Sequence, residues 1–194
     1  MTLEAYSRWR KEHRSELIAH RRLRTVGLDA GAGEHLLLQF ESERTVRYQI
    51  QEMLRIEKLF EDEAIRAEID AYAPLVPDGS NWIATLMLAW PDEAERGKAL
   101  AQLIGVEDRV YVEVQGLDKN HRIYAIADED LPRETAQKTS AVHFLRFAFT
   151  PETVKALLQT EEVFIGCGHP HYTARQALSP AALAELRKDL TPVA

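Results

Sequence analysis

The stretch 45-TVRYQIQEMLRIEKL-59 decides how this chain is read. At about 100° per residue, Val46, Ile50, Met53, Ile56 and Phe60 fall in one sector, the spacing of a helix laid on a core. Arg47, Gln51, Arg55 and Lys58 form the opposite, polar stripe. Ser42 is the expected N-cap, and Glu43 is a first-turn acid that the helix dipole favours. Gln49 breaks the pattern, because it shares the apolar sector with Val46, Met53 and Ile56. A buried amide left without partners costs roughly 1–3 kcal/mol. Gln49 therefore either satisfies nearby backbone, the reading favoured by general experience of buried polar groups, or faces a ligand.

A second helix follows at Glu61–Tyr72, with Ile65, Ile69 and Tyr72 on one side. Glu68 lies in the same sector, and an inward carboxylate calls for a cationic or hydrogen-bonding partner. Arg47, Arg55 and Arg146 are the candidates. Pro74 and Pro77 end this helix, and PDGSN is a turn. Trp82–Trp90, WIATLMLAW, is almost wholly apolar, as a central strand covered on both faces would be. Ser140–Phe149, SAVHFLRFAF, is a second long strand. His143 shares a face with Leu145, Phe147 and Phe149, and Arg146 shares the other with Val142 and Phe144. Both faces are apolar, so both polar side chains are expected to find internal partners.

Upstream, residues 3–23 form a helix that Thr2 could cap; with residues 1–23 it reads as an N-terminal helical appendage to a domain spanning 1–194. Arg21-Arg22-Leu23-Arg24, with Arg14 and His20, is the only dense basic patch, and it reads as balance for an acidic chain rather than as a phosphate site. Thr25–Leu28 and His35–Phe40 are short strands around a glycine turn. Gly31-Ala32-Gly33 lacks a third glycine and leads into a strand, so it is not a dinucleotide loop. Pro91 and Asp92 start a helix that runs through Ile104 and stops at Gly105. Arg109–Gln115 alternates Val110, Val112 and Val114 against Tyr111, Glu113 and Gln115, and Arg122–Ala127 returns across the GLDKN turn as a hairpin. Asp128–Lys138 reads as an exposed loop. Thr150-Pro151 opens a helix to about Leu158, Val163–Ile165 is a short strand, GCGHPHYT follows as either an extended segment or a glycine-rich loop, and Ser179-Pro180 opens the last helix, to about Leu190. The fold expected is α+β: a mostly antiparallel sheet of five to seven strands with helices packed mainly on one face.

Composition bounds the function. Over 194 residues, 45% hydrophobic and 28% charged content allow a full core. The net charge of −7 argues against broad nucleic-acid binding. Cys167 is the only cysteine, which excludes an intramolecular disulfide and suits a reducing compartment. No apolar run reaches the ~18 residues of a membrane span, and the charged N-terminus has no signal-peptide core. A soluble cytoplasmic protein is the expectation.

Three sets of residues carry chemistry. Cys167, His169 and His171 stand at i, i+2 and i+4, which in an extended segment points all three the same way. Thiolate and imidazole suit zinc or another divalent transition metal, with His143 or Glu113 completing the set; the competing reading is a loop whose histidines cap backbone groups. Arg47, Gln49, Glu68, His143 and Arg146, with Glu113, could instead converge as a polar pocket beneath the 45–59 helix, holding a small anionic ligand. Finally, the basic N-terminal helix could dock an acidic partner or a second copy of the chain. No Ser-His-Asp order, nucleophile elbow, phosphate loop or metalloprotease helix is present.

TVRYQIQEML, the Glu68–Tyr72 stretch with Pro77, ATLML, SAVHFLRF and HPHY together resemble DUF3501, a bacterial family of unknown function. The pieces span nearly the whole chain. The family's loop is closer to Asp-His-Pro-x-Tyr; here Gly168 stands in the Asp place, Cys167 and His171 lie outside the shared motif, and His169 and Tyr172 are its matched members. The resemblance implies a redox or peroxide-stress setting with a rubrerythrin-like or iron–sulfur partner, and it supplies no catalytic residues.

Overall fold

The computed structural model describes residues 3–31, 33–115, 122–127 and 137–192. The expected turn at 116–120 and most of the expected 128–138 loop lie outside them. Among the described residues the order is α1 (Leu3–Leu23), β1 (Thr25–Asp29), β2 (Glu34–Phe40), α2 (Glu43–Glu57), α3 (Asp62–Tyr72), β3 (Asn81–Leu88), α4 (Glu93–Gln102), β4 (Val110–Val114), β5 (Arg122–Tyr124), β6 (Ile126–Ala127), β7 (Val142–Ala148), α5 (Pro151–Gln159), β8 (Val163–His169), β9 (Tyr172–Ala177) and α6 (Pro180–Leu186). The α+β expectation holds. The strands divide into a five-stranded sheet, β1-β2-β3-β7-β6, and a four-stranded sheet, β5-β4-β8-β9, with every ladder antiparallel.

The expected 122–127 strand is divided between the two sheets. Its first part pairs with β4 and its second with β7, so this segment turns the corner from one sheet to the other. On the opposite side Tyr172 of β9 hydroxyl-bonds to the backbone at Leu28 in β1. The inner faces meet in one core. Leu28, Leu36, Leu38, Phe40, Leu86 and Phe147 come from the larger sheet and Val112, Ile165 and Cys167 from the smaller. β3 is central, as its almost wholly apolar run requires. Leu157 of α5 and Leu186 of α6 enter the same core, and the Trp82 indole N–H donates to the Leu186 carbonyl at 3.0 Å.

The period of two along each strand settles which side chains face where. Register aligns Leu38, Leu86 and His143 in one inner row and Gln39, Thr85 and Phe144 in an outer row. α2 lies over that outer row. Its N-terminus is a reciprocal cap: Thr45 N–H donates to Ser42 Oγ and Ser42 N–H to Thr45 Oγ1. It ends two residues before Leu59, where Lys58 takes a left-handed conformation (φ 55°). Only Thr45 and Val46 of this helix are buried. The apolar stripe read from its sequence covers the sheet at its first turn, while Ile56 and Phe60, each 60% exposed, extend past it.

Two further expectations change and one open alternative closes. Arg24 separates from the basic patch of its sequence neighbours and is buried, 1% exposed. Arg146 lies on the outer face and is exposed, so it needs no internal partner. GCGHPHYT is a strand hairpin, not a loop. Val163, Ile165, Cys167 and His169 alternate inward, and Gly166 and Gly168 face out. A Cβ at residue 166 would fall inside the Tyr111 ring, so this glycine serves close approach rather than a turn.

Candidate functional site

A cavity of about 210 Å³ lies between α2 and the outer face of the five-stranded sheet. Its floor is the cross-strand row Gln39–Thr85–Phe144 with Met87 from the same sheet face. Thr45, Val46 and Gln49 of α2 form one wall, and Tyr72 and Leu75, at the end of α3 and beyond, form another. Among the described residues of the lining, Glu41, in the short link from β2 to the Ser42 cap, is the only carboxylate and Arg21 the only cation.

The polar groups are held in place. Thr45 Oγ1 donates to Glu41 Oε2 at 2.6 Å and Thr85 Oγ1 donates to Glu41 Oε1 at 2.9 Å. Thr25 Oγ1 donates to Gln39 Oε1 at 2.9 Å, and Gln39 Nε2 donates to the Phe40 carbonyl at 3.2 Å. A carboxylate oxygen accepts more than one hydrogen bond, so Glu41 can still accept from a bound N–H or O–H. The sequence signalled Gln49 through its break in the apolar stripe. It gave no such signal for Glu41, Thr45 or Thr85, because each is a polar residue at a strand end, a cap or the outer face of a strand.

The other candidate residues are placed elsewhere. Arg47 is exposed on α2 and pairs with Glu43, one turn earlier. Glu68 is half-buried on α3, outside the lining. His143 is 1% exposed in the inner row, where its Nε2 meets Thr139 Oγ1 at 2.9 Å and the Ser140 carbonyl at 3.0 Å, with Glu107 at 3.9 Å. Glu113 faces outward from the smaller sheet. Arg175 donates to it at 2.6 Å and Arg122 at 3.2 Å, and the pair, Arg175 foremost, holds its carboxyl below the usual range. Those guanidinium groups also cover the rings of Phe164 and Tyr111.

Cys167, His169 and His171 do not assemble as metal ligands. Burial pushes the Cys167 thiol up to about 11, away from the thiolate a metal needs. His169 Nδ1 accepts from the His171 backbone N–H at 3.2 Å, which leaves Nε2 protonated and donating to the Ile104 carbonyl at 3.1 Å. Both ring nitrogens are engaged with backbone, the capping role weighed against the metal reading. His171 sits in the exposed turn. Among the described residues no group of three or more His, Cys, Asp or Glu side chains could hold a metal ion. Tyr172 also works structurally. Its hydroxyl donates to the Leu28 carbonyl and accepts from the His35 N–H at 3.2 Å. The His35 ring stacks on Trp90 with centroids 4.4 Å apart. Nothing in the residues around His35 singles it out.

Fold and site define a two-sheet α+β protein with a small, mixed polar and apolar cavity beneath a capped helix. The chain belongs to the DUF3501 family of proteins of unknown function, whose family model matches residues 1–190. It is similar to a solved structure of a novel protein of unknown function from Burkholderia pseudomallei. That likeness has 49% identity and a TM-score of 0.87, covering 98% of this chain and 96% of the other. No curated protein matches the chain. No described helix is long and apolar enough to cross a membrane.

Proposed function

We propose that this protein binds a small organic molecule in the cavity under α2. One observation carries the reading: four of the stretches that bear the family resemblance supply seven of the eleven described lining residues. Thr45, Val46 and Gln49 come from TVRYQIQEML, Tyr72 from the Glu68–Tyr72 stretch, Thr85 and Met87 from ATLML, and Phe144 from SAVHFLRF. The lining holds one carboxylate, Glu41, against one cation, Arg21, and lacks Arg47 and Arg146, so the ligand class shifts from an anion to a molecule bearing N–H donors for Glu41, such as an amine or guanidine, on a short apolar body. Val46, Met87 and Phe144 would take that body, and the Gln39 and Gln49 amides would fix its orientation.

A thermal-shift panel of small amines and guanidines tests this. A ligand at 100 times its Kd adds about 2.7 kcal/mol, which at roughly 2–4 °C per kcal/mol raises Tm by about 5–11 °C. Glu41→Gln should abolish the shift. A panel that shifts nothing, or shifts both proteins equally, removes the reading. A cytoplasmic setting beside a rubrerythrin-like or iron–sulfur partner belongs to the same proposal. The family resemblance supports it, together with a lone cysteine that is buried and free.

A further inference from the structure

On the other side of the α2 cap lies an open groove of about 530 Å³, lined by His20, Ser42, Arg44, Glu185 and Asp189 among others. Three of these stand in relay. His20 Nε2 is 3.1 Å from Ser42 Oγ, and His20 Nδ1 is 3.4 Å from Glu185 Oε1. They come from α1, the link before α2, and α6, in the chain order His, Ser, Glu, which no linear motif would reveal.

We propose that Ser42, His20 and Glu185 form a nucleophile, base and orienting carboxylate that hydrolyse small carboxylic esters. In the tautomer that carries Nδ1–H toward the Glu185 carboxylate, the Nε2 lone pair faces the Ser42 hydroxyl. The Ser42 oxygen also accepts the Thr45 N–H at 3.3 Å, which leaves its proton for the imidazole. Burial holds His20 below its ordinary pKa, so the ring is neutral at pH 7, as a base must be. Glu185 is itself steadied by Lys188 and by Arg24, whose Nη1 is 3.9 Å away.

In the first step Ser42 Oγ adds to the ester carbonyl carbon while its proton passes to His20 Nε2. The bond from that carbon to the alkoxy oxygen then breaks, and His20 gives the proton to the departing alcohol. Water adds to the acyl-serine, its proton moving to His20. The bond to Ser42 Oγ breaks, Ser42 recovers the proton, and a carboxylic acid leaves. Glu185 is a positioning residue that faces the imidazolium formed in each half. The first-turn N–H groups of Glu43 and Arg44 have no acceptor within the helix. They follow the nucleophile directly and are the donors available to the oxyanion.

The test uses the full chain, p-nitrophenyl acetate and a fluorophosphonate probe read by intact mass and peptide mapping. The wild type should carry the probe on Ser42 and hydrolyse the ester. Ser42→Asn keeps a side-chain oxygen at the N-cap and removes the nucleophile. It should keep its circular dichroism and lose both signals. His20→Gln should lower kcat by about 100-fold or more. Glu185→Gln should lower kcat with KM unchanged, a split that a purely structural carboxylate would not produce. A wild type that takes no probe on Ser42 overturns the proposal, and so does hydrolysis that folded Ser42→Asn or His20→Gln leaves unchanged. The ligand cavity does not include Ser42, His20 or Glu185, so either site can fail without the other.

Discussion

Replacing Arg24 by Met tests whether this buried cation ties the C-terminal segment to the end of β2. Arg24 Nε donates to the Phe40 carbonyl at 3.0 Å, Nη2 to the Glu41 carbonyl and the Asp189 carboxylate, and Nη1 to the Glu185 carbonyl at 3.4 Å. Met keeps the apolar stem and removes all of these donors. Removing one partner of a buried ion pair costs about 3–5 kcal/mol, because the other charge is left without its counter-ion. At roughly 2–4 °C per kcal/mol for a chain of this size, Tm should fall by about 6–20 °C. The loss should depend on pH with a definite sign. Burial already pushes the Asp189 carboxyl above its ordinary 3.8, and Arg24 is the first influence opposing that rise. Without Arg24 it rises further. A carboxyl raised in the folded state stabilises fully below its unfolded pKa, and that contribution is lost as pH rises through the folded value. The Arg24→Met deficit should therefore be larger at pH 7 than near pH 4. Asp189→Leu in the same chain removes the stranded carboxylate and should recover at least about 1 kcal/mol. Urea melts of the four proteins at both pH values give the numbers. A deficit below about 1 kcal/mol, or double-variant losses equal to the sum of the singles, refutes the assignment.

Gly166→Ala should cost about 1–3 kcal/mol because the Tyr111 ring must move; Tyr111→Leu beside it should restore most of that in thermal melts. Glu113 has its carboxyl held down by Arg175 and Arg122, so its contribution is complete above the ordinary 4.5 and is lost as pH falls through the lower folded value. Glu113→Gln should flatten the acid limb of the stability profile below about pH 4.5, and an unchanged limb would count against the triad of charges. Cys167, pushed up to about 11, should react with a disulfide reagent at pH 8 about two orders of magnitude more slowly in the native protein than after denaturation.

What was legible in the sequence was whatever local chemistry dictates. The Ser42 cap, the Thr150-Pro151 and Ser179-Pro180 starts, and the apolar run of β3 all appear where expected, because each is decided within a few residues. GCGHPHYT reads equally as a loop or as an extended segment, because glycine signals a turn unless a ring from another strand needs the space, as Tyr111 does at Gly166. Arg146 and His143 show the limit of an apolar-neighbour rule. Period two assigned each to its face, but burial of the outer face depends on how far α2 reaches. The N-terminal turn of α2 covers Phe144, and the region around Arg146 is left to solvent. The charged pocket was expected from polar residues in apolar stripes. Only Gln49 of that set reaches the cavity: Arg47 is exposed on α2, Glu68 is half-buried on α3 outside the lining, Arg146 is exposed on the outer face beyond α2, His143 is on the inner face and Glu113 is on the other sheet.

Residues 41–45 separate two environments with one short turn of chain. Glu41 and Thr45 face the cavity, and Ser42 faces the groove. The same hydrogen bonds that end β2 and start α2 couple them: Ser42 N–H reaches Thr45 Oγ1, and Thr45 Oγ1 reaches Glu41. A helix cap needs only one polar side chain at its first position. Here the link carries a carboxylate, two hydroxyls and a neighbouring imidazole, none of them fully exposed. Burying that many polar groups beyond what capping requires is costly unless each is satisfied. Only Thr45 and Val46 of α2 are fully buried, and residues 48–55 are half-buried, so its polar groups are concentrated at the turn that separates the cavity from the groove.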